Sequence, residues 1–401
     1  MIYPKIPLAQ SIIQICLAKG VHQIVISPGS RNAPLTIGFA NNPSFTCYSI
    51  ADERCAAFFA LGIAQQSHKP VAVVCTSGSA LLNYYPALAE AFYSQIPLIV
   101  ISADRPADKI DIGDGQTIRQ RNVFENHSLY NANLTEEVSD QNDLLINEAI
   151  NIAMIKKGPV HINAPFEEPL YQTVRRPSVD PTISAIAKVY KNLSVDTIIA
   201  LTNIWNASTK KLILVGGSDP DEFDPEVIQF LADDPSVTVM TEVTSNFHHP
   251  SFIHNIDAII TPFRERDFNL LRPEILITFG GMVVSKRIKA FLRDYKPEYH
   301  WHVDPLRAYD TFGASVQQFE SQPGDFFNSI MPYTRKSVSR YAEKVATISQ
   351  YRKEKHREFL KRAPFSDLKA FELIIKKLPT NINLQISNSA PIRYAQLFEI
   401  D

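Results

Sequence analysis

Short apolar runs alternate with longer stretches suited to helices along the first hundred residues. Runs such as Val-Ala-Val-Val-Cys and Pro-Leu-Ile-Val-Ile are typical of buried strands. The pattern predicts strands at residues 22–26, 45–49, 70–75 and 97–102, and helices at residues 8–19, 34–41, 52–66 and 79–94. Because these strands are continuously apolar and separated by helices, we expect a parallel sheet that is covered on both faces.

A dense group of prolines interrupts this pattern after the first sheet. Pro165, Pro169, Pro177 and Pro181 cannot continue a helix or a central strand, so they indicate a linker. Further predicted strands follow at residues 211–217, 237–241, 274–281 and 301–305, with a helix at residues 225–232. They indicate a second doubly wound sheet of Rossmann type. Two of the strands end in Gly-Gly, but neither pair extends to G-x-G-x-x-G, which favours tight turns over nucleotide binding.

The C-terminal segment begins with residues 337–362, whose charges and periodic apolar positions predict an exposed helical linker. A helix at residues 366–377, a strand at 382–387 and a helix from Ser389 are predicted to follow. Because a lone strand has no sheet to join, we interpret this last part as the start of a third domain. We expect it to be disordered or to pair with another chain's sheet edge.

The predicted fold class is therefore α/β, with two doubly wound parallel-sheet domains plus the start of a third. The predicted domains are residues 1–172, 187–336 and 366–401, joined by linkers at residues 173–186 and 337–365.

Composition excludes several classes of partner. Forty basic and 42 acidic side chains provide no excess positive charge for nucleic acid or an anionic membrane. No run reaches the ~18 apolar residues that a membrane span needs, and no leader pattern opens the chain, so we expect a soluble cytoplasmic protein. The cysteines show no C-x-x-C spacing and lie in apolar elements, which predicts buried thiols at Cys16, Cys47, Cys55 and Cys75.

Polar motifs follow the predicted strands of the first domain at the point where each strand ends. They occupy residues 27–31, 52–53, 76–79 and 103–106. Ligands of doubly wound sheets bind at the carboxyl ends of the strands, so we expect these motifs to converge on one binding edge.

Glu53 is the strongest candidate for proton chemistry at this edge. Burial without a cation partner raises the pKa of a glutamate, which allows proton exchange with a ring nitrogen near neutral pH. The alternative is that Asp52 and Glu53 only cap the helix that follows. The neighbouring motifs favour the catalytic interpretation.

Six motifs in order carry a resemblance to a known family. They are SPGSRNAP (27–34), ADER (51–54), TSGSA (76–80), ADRP (103–106), GQTIRQ (115–120) and GPVHINAPFEEPL (158–170). Together they resemble the pyrimidine-binding domain of thiamine-diphosphate enzymes. The resemblance is closest to the menaquinone-pathway synthases that make 2-succinyl-5-enolpyruvyl-6-hydroxy-3-cyclohexene-1-carboxylate, and it runs along nearly the whole chain.

The resemblance implies a cofactor, two substrates and a set of site residues. Glu53 would hydrogen-bond N1′ of the aminopyrimidine of thiamine diphosphate and promote loss of the thiazolium C2 proton, so that 2-oxoglutarate is decarboxylated and joined to isochorismate. The other cofactor-binding residues would be Pro28, Gly29, Thr76, Ser77 and Gly78. The substrate-binding residues would be Ser30, Arg31, Arg105, Gln116, Lys286, Arg287, Ser389 and Arg393. Arginines suit these substrates because guanidinium groups meet carboxylates with bidentate geometry.

Several of these assignments have structural alternatives. Arg105 could pair with Asp104 or Asp108 instead of a ligand. Ser285 stands where the family has glycine, so Lys286 and Arg287 could be a solvated helix start, and Ser389 could act as an N-cap.

The resemblance also implies Mg²⁺ or Mn²⁺, with ligands in the C-terminal diphosphate-binding domain, and a homodimer or homotetramer. Gly113-Asp114-Gly115 with Asn142 imitates the metal motif, but it lies in the wrong domain, so we assign no metal ligand in this chain.

Two other functions remain open from the sequence. Another thiamine-diphosphate lyase or decarboxylase is one, although the His-His pair of pyruvate-decarboxylase-like members occurs here only at residues 248–249, in the second domain. A non-catalytic binding module is the other. Because the cofactor in the family is bound by two domains, we expect these 401 residues to be inactive by themselves.

Overall fold

The computed structural model describes residues 2–186, 192–220 and 223–400. The chain forms two compact units, residues 1–188 and residues 189–401. Each is built on a parallel β-sheet covered by helices on both faces, so the predicted α/β class is confirmed. No helix in the described ranges is long and apolar enough to cross a membrane.

The first unit contains a parallel six-stranded sheet with strand order β3-β2-β4-β5-β7-β6. A separate antiparallel pair, β1 with β8, joins the two ends of the unit. The strands are β1 (Tyr3–Pro4), β2 (Gln23–Ile26), β3 (Thr46–Ser49), β4 (Val71–Cys75), β5 (Leu98–Asp104), β6 (Asn131–Asn133), β7 (Val160–Pro165) and β8 (Thr173–Val174).

Five helices cover the two faces of this sheet. They are α1 (Pro7–Ala18), α2 (Ala33–Ala40), α3 (Glu53–Ser67), α4 (Tyr85–Ser94) and α5 (Asp140–Ile155). Alternate residues of each strand point to opposite faces, so Ile99 packs with α1, α2 and α5 while Val100 packs with α3 and α4. Continuous apolar strands are therefore required at the centre of the sheet.

The second unit contains a parallel five-stranded sheet with strand order β10-β9-β11-β12-β13. Its strands are β9 (Lys211–Val215), β10 (Val237–Thr241), β11 (Ile275–Phe279), β12 (Tyr299–Val303) and β13 (Gln317–Phe319). Its helices are α6 (Val195–Ala207), α7 (Pro225–Asp233), α8 (Ile256–Ile260), α9 (Glu265–Leu271), α10 (Lys286–Asp294), α11 (Pro323–Ile330), α12 (Tyr341–Arg362), α13 (Asp367–Ile375) and α14 (Ala390–Ala395).

Most of the elements that the sequence predicted are present, with two differences in type. The predicted helix at residues 79–94 begins as a 3₁₀ turn, Gly78–Tyr84, and becomes α-helical only at Tyr85. Pro86 lies in the first turn of α4, where its missing N–H prevents one continuous α-helix. The predicted strand at residues 382–387 is wrong: these residues form no ladder, and the side chains of Ile382 and Leu384 are exposed.

The proline-rich segment at residues 173–186 packs onto the first unit. Ser178 N donates to Gln10 (2.7 Å), Thr182 N donates to Asp143 (2.9 Å), and Ser184 N donates to Asn147 (3.0 Å). Its role as an interdomain linker, like the other domain boundaries, stays a prediction.

Cysteine burial was predicted correctly for Cys16 and Cys75. Cys47 is half-buried, and Cys55 is exposed, so the prediction of a buried thiol is wrong there. Cys55 lies on the first turn of α3, whose buried face is formed by small residues that include Ala56 and Ala60.

Two strand-end glycines of the second unit pack backbone to backbone. A Cβ on Gly216 would lie 1.9 Å from the carbonyl oxygen of Gly281, while Gly216 N donates to the carbonyl oxygen of Phe279 at the end of β11 (2.9 Å), so the two backbones would have to separate. We therefore expect Gly216→Ala to lower the free energy of unfolding by about 3 kcal/mol in urea denaturation.

Gly324→Ala is the matched control, because Gly324 lies in α11 and a Cβ there meets no atom within 4 Å. That change should leave stability unchanged or raise it by up to about 1 kcal/mol, since alanine favours the helix. Equal stability of the Gly216 variant and the native protein would contradict the contact.

Candidate functional site

The loops after β2 and β4 meet at the carboxyl edge of the first sheet. Arg31 N donates to Thr76 Oγ1 across 3.3 Å, and a Cβ on Gly29 would lie 2.3 Å from Thr76 Cβ. Gly29 thus allows close contact between two loops rather than only an approach to a ligand. The residues predicted to bind the cofactor on these loops are brought together as expected.

A third segment closes over the glycine of the β4 loop. Gly78 has φ +86° and a Cβ there would lie 3.1 Å from the carbonyl oxygen of Gln116, so no other residue fits without strain. The N–H of Gly78 donates to Gln120 Oε1 (2.8 Å). The predicted site residue Gln116 therefore lies against the loop of Thr76, Ser77 and Gly78, with its own side chain exposed.

Asp52 and Glu53 have separate roles at the start of α3. Asp52 is the N-cap, and its carboxylate accepts a hydrogen bond from Cys55 N (2.9 Å). Glu53 is half-buried, and its carboxylate has no hydrogen-bond or ion-pair partner among the described residues. The helix needs only one of the two carboxylates as a cap, which leaves Glu53 available for a ligand.

Two buried ionisable groups lie within electrostatic range of Glu53. Burial raises the pKa of Tyr84 and of Cys75, and the negative charge of Glu53 adds to both shifts. Tyr84 donates to Ser27 Oγ (3.2 Å), directly after β2. Both groups therefore stay neutral at physiological pH and add no charge near Glu53.

Arg31 is a buried cation at this edge, with an exposed fraction of only 5 %. Its Nη1 donates to the carbonyl oxygen of Phe166 (3.0 Å), and its Nη2 lies 3.4 Å from Glu168 Oε1. Burial and the charge of Arg105 lower the pKa of Arg31, and Glu168 partly opposes this. Two guanidinium groups within range of each other favour an anion between them.

Arg105 is paired, but not with the carboxylates named as alternatives. Its Nη1 lies 3.2 Å from Asp114 Oδ2 and its Nη2 donates to the carbonyl oxygen of Gly115 (3.1 Å). Its buried Nε has no hydrogen-bond partner in the part of the chain that the structure describes, which leaves one donor available. Asp104 instead accepts from the backbone N–H of Arg105 (2.8 Å).

The sequence did not identify a buried polar network beneath the loops. Gln120 Nε2 donates to Asn163 Oδ1 (2.8 Å) and to the carbonyl oxygen of Ala103 (3.1 Å). Asn163 Nδ2 in turn donates to Asp104 Oδ2 (2.8 Å). Since Gln120 also holds Gly78, the network ties the β4 loop to the ends of β5 and β7. Polar residues inside otherwise apolar strands were the only available signal.

The metal-like motif of the first unit is used for structure. Asp114 pairs with Arg105, as described above, and Asn142 Nδ2 donates to the carbonyl oxygens of Thr135 (2.9 Å) and Glu137 (2.7 Å). In the described parts of the chain, no group of three or more His, Cys, Asp or Glu side chains is arranged to hold a metal ion.

In the second unit, two of the predicted substrate residues line one cleft of about 480 Å³. Arg287, from the start of α10, and Arg393, from α14, share it with Arg352, Lys355 and His356 of α12. Arg352 Nε and His356 Nε2 are buried without hydrogen-bond partners. Such a cleft suits a ligand with carboxylate groups.

The other two predicted residues of this unit are not among those that line the cleft. Lys286 is exposed on the first turn of α10, whose N-cap Ser285 accepts from Ile288 N (3.2 Å). Ser389 is exposed and takes the N-cap position of α14, but its side chain makes no capping hydrogen bond. Ser389 therefore occupies the N-cap position without stabilising the helix through its side chain.

Comparison with protein families gives two matches along the chain. Residues 6–132 match "Thiamine pyrophosphate enzyme, N-terminal TPP binding domain", and residues 187–386 match "Middle domain of thiamine pyrophosphate". The first match contains Glu53 and the loops around it.

Curated relatives match over the whole chain. Proteins named 2-succinyl-5-enolpyruvyl-6-hydroxy-3-cyclohexene-1-carboxylate synthase are 64% identical in Flavobacterium johnsoniae, 66% identical in Flavobacterium psychrophilum and 49% identical in Christiangramia forsetii. Each match includes 100% of this chain and covers 73%, 72% and 74% of the respective relative.

A histidine in the buried network generates a prediction about pH. Burial lowers the pKa of His161 to about 3, and its Nε2 lies 2.7 Å from Ser102 Oγ. The unfolded chain binds this proton near pH 6.5 and the folded chain does not, so stability falls as pH decreases from 6.5 toward 3. At pH 5 this one group should cost about 2 kcal/mol.

His161→Gln should therefore flatten the dependence of the free energy of unfolding on pH between 6.5 and 4.5. Urea denaturation at several pH values measures the slope for each protein. The same slope in the variant and the native protein would show that His161 is not buried in its neutral form.

Proposed function

We propose a function from the premise that this chain belongs to the family of thiamine-diphosphate-dependent 2-succinyl-5-enolpyruvyl-6-hydroxy-3-cyclohexene-1-carboxylate synthases. It is a transferase of menaquinone biosynthesis. It decarboxylates 2-oxoglutarate and adds the remaining succinyl unit to isochorismate. The resemblance inferred from the motifs is thereby confirmed, and the alternatives of another lyase or a binding module are not favoured.

One observation carries the assignment of the cofactor to the first unit. Glu53 presents a half-buried carboxylate without a partner at the carboxyl edge of a parallel sheet, while the adjacent Asp52 alone caps the helix. An aminopyrimidine offers the ring nitrogen that such a carboxylate would bind. Gly29 and Gly78 keep the surrounding loops close together, and the ring is assigned to the edge that these loops form.

Thiamine diphosphate supplies, when bound, a nucleophilic carbon and an electron sink for decarboxylation of 2-oxoacids. The chain's own contribution is positioning and proton transfer. Glu53 would hold the proton shared with N1′ of the pyrimidine. The adjoining loops of Pro28 and Gly29 and of Thr76, Ser77 and Gly78 would together border the ring.

Carboxylate recognition falls to the cations described above. The charge of Arg105 lowers the pKa of Arg31, and Arg105 retains a donor at Nε. We therefore assign both arginines to substrate carboxylates, with Ser30 and Gln116 beside them. In the second unit, Arg287 and Arg393 are assigned to a carboxylate in their shared cleft. Lys286 and Ser389 are assigned with them by family resemblance.

The remaining expectations concern the metal ion, assembly and location. We infer Mg²⁺ as the ion that accompanies the diphosphate, and we assign it no ligand in this chain. A homodimer or homotetramer in the cytoplasm remains a proposal.

A coupled assay distinguishes the synthase from a simple decarboxylase. With thiamine diphosphate, Mg²⁺ and 2-oxoglutarate, the full-length enzyme should consume isochorismate, measured as loss of its absorbance. Omission of 2-oxoglutarate is the control. Consumption of pyruvate, with no dependence on isochorismate, would contradict the proposal.

Glu53→Gln tests the proton-transfer role directly. The amide cannot take or give the proton, so exchange of the C2 proton of bound thiamine diphosphate with solvent should slow by about a hundredfold or more. Proton exchange is measured by NMR after acid quench at timed intervals in deuterated buffer.

Asp52→Asn is the matched control, since asparagine preserves the N-cap and the neighbouring residue is unchanged. Its exchange rate should stay close to that of the native enzyme. An exchange rate for Glu53→Gln within about tenfold of the native rate would overturn the assignment.

A further inference from the structure

A buried carboxylate of the second unit binds the loop that leads to Lys286 and Arg287. Glu242 follows β10 directly and has an exposed fraction of 2 %. Its Oε2 accepts from Val284 N (2.6 Å) and its Oε1 accepts from Ser285 N (2.7 Å). One carboxylate therefore satisfies two consecutive backbone donors immediately before α10 begins.

The burial of this charge needs an explanation, because an ionised carboxylate loses much solvation energy inside a protein. Burial raises the pKa of Glu242, and the two backbone hydrogen bonds oppose that rise. No cation lies within ion-pair distance of Glu242 in the described ranges, although Lys289 acts on it from further away. The two N–H groups of the loop are thus its principal compensation.

Other contacts fix the same loop. Ser285 Oγ donates to Asp257, which is itself part of the cleft lining, and Lys289 Nζ donates to the carbonyl oxygen of Val283 (2.9 Å). At the start of the loop, Gly281 N donates to the carbonyl oxygen of Gly217 (2.6 Å). The loop is therefore held at both ends, and Glu242 holds its last two peptide groups.

The two side chains that follow these peptide groups are exposed. Ile288, Phe291 and Leu292 bury the opposite face of α10, so the helix has one packed side and one open side. Arg287 reaches the cleft that it shares with Arg393, and Lys286 precedes it on the same first turn. The direction of both cations depends on where the first turn of α10 starts.

We propose that Glu242 is a positioning residue: its carboxylate fixes the peptide groups of Val284 and Ser285, and so aims Arg287 at a substrate carboxylate and sets the direction of the preceding Lys286. The identity of the ligand in this inference rests on the proposed function. The hydrogen bonds from Val284 N and Ser285 N to Glu242 do not depend on that function. Glu242 itself contacts no substrate in this account.

Glu242→Gln tests the proposal with nearly unchanged volume. The amide has one acceptor oxygen, and its NH₂ group would face the second backbone N–H, so at least one hydrogen bond is lost. Amide hydrogen exchange in the peptide covering residues 280–289 should become faster by about tenfold or more. In the enzyme loaded with thiamine diphosphate and Mg²⁺, KM for a carboxylate substrate should rise about tenfold with kcat changed less than about threefold.

Glu274→Gln is the matched control. Glu274 accepts from Thr209 N (2.7 Å) and Thr209 Oγ1 (2.9 Å) at the opposite end of the same sheet, before β11. The same chemical change there also removes hydrogen bonds, but it should leave KM and the exchange of residues 280–289 unchanged. A KM effect of equal size in both variants would reduce Glu242 to a general stability role and overturn the proposal.

A double-mutant cycle separates positioning from stability. If Glu242 acts through the cations, Glu242→Gln should cause no further rise in KM when Lys286 and Arg287 are both alanine. Additive effects on KM would contradict the proposal.

The amide exchange measurement keeps this test distinct from that of the function. Absence of synthase activity in the native protein would overturn the proposed function, while exchange would still decide whether Glu242 holds the loop. Faster exchange with unchanged KM would overturn the positioning role.

Discussion

The parallel register of the two sheets is the constraint on which both candidate sites depend. In the first sheet, Ile26 pairs with Val74, and Val74 pairs with Ile101, so the loops after β2, β4 and β5 start at nearly the same level. Since all strands run in one direction, every strand-to-helix loop lies at the same edge. The chain therefore gathers loops that are far apart in sequence without needing long connections.

The protein stabilises these loops with buried polar side chains that replace missing backbone partners. Gln120 accepts from Gly78 N in the first unit, and Glu242 accepts from Val284 N and Ser285 N in the second. An unsatisfied buried N–H costs about 1–3 kcal/mol, so each of these side chains fixes a loop that would otherwise open to solvent. Neither Gln120 nor Glu242 is assigned to a ligand, but each hydrogen-bonds the backbone of a loop that carries or precedes assigned residues. Each therefore helps to fix the positions of those residues.

The charged groups at the edge of the first sheet have different partners and therefore different roles. Asp52 caps the helix, and Glu53 has no partner among the described residues, while the buried Tyr84 and Cys75 near it stay neutral. The two arginines also differ. Arg31 has the carbonyl oxygen of Phe166 and the carboxylate of Glu168 as partners, whereas the Nε of Arg105 has no hydrogen-bond partner among the described residues. A site of this type combines one acid–base group with fixed positive charge for acidic substrates.

The strands and the motifs at their ends were predictable because both are local patterns: apolar runs mark buried strands, and glycine-containing turns follow them. Arg287 and Arg393 were identified through resemblance, and their shared cleft could not be foreseen because α10 and α14 lie far apart in sequence.

Long-range partners explain most of what the sequence left undetermined. Gln120 with Asn163 and Glu242 with Val284 join residues more than one element apart, and no spacing rule describes such pairs. The predicted strand at residues 382–387 had the right side chains but no neighbouring strand to pair with. Cys55 had apolar neighbours in sequence, but its position on α3 faces solvent.

The central claim is that Glu53 binds the pyrimidine ring of thiamine diphosphate at the edge of the first sheet. The most direct measurement is a crystal structure of the protein with thiamine diphosphate, Mg²⁺ and 2-oxoglutarate. We predict N1′ of the ring about 2.6–3.2 Å from a Glu53 carboxylate oxygen, beside the loops of Gly29 and Gly78. A cofactor bound with its pyrimidine ring away from Glu53 would contradict the account.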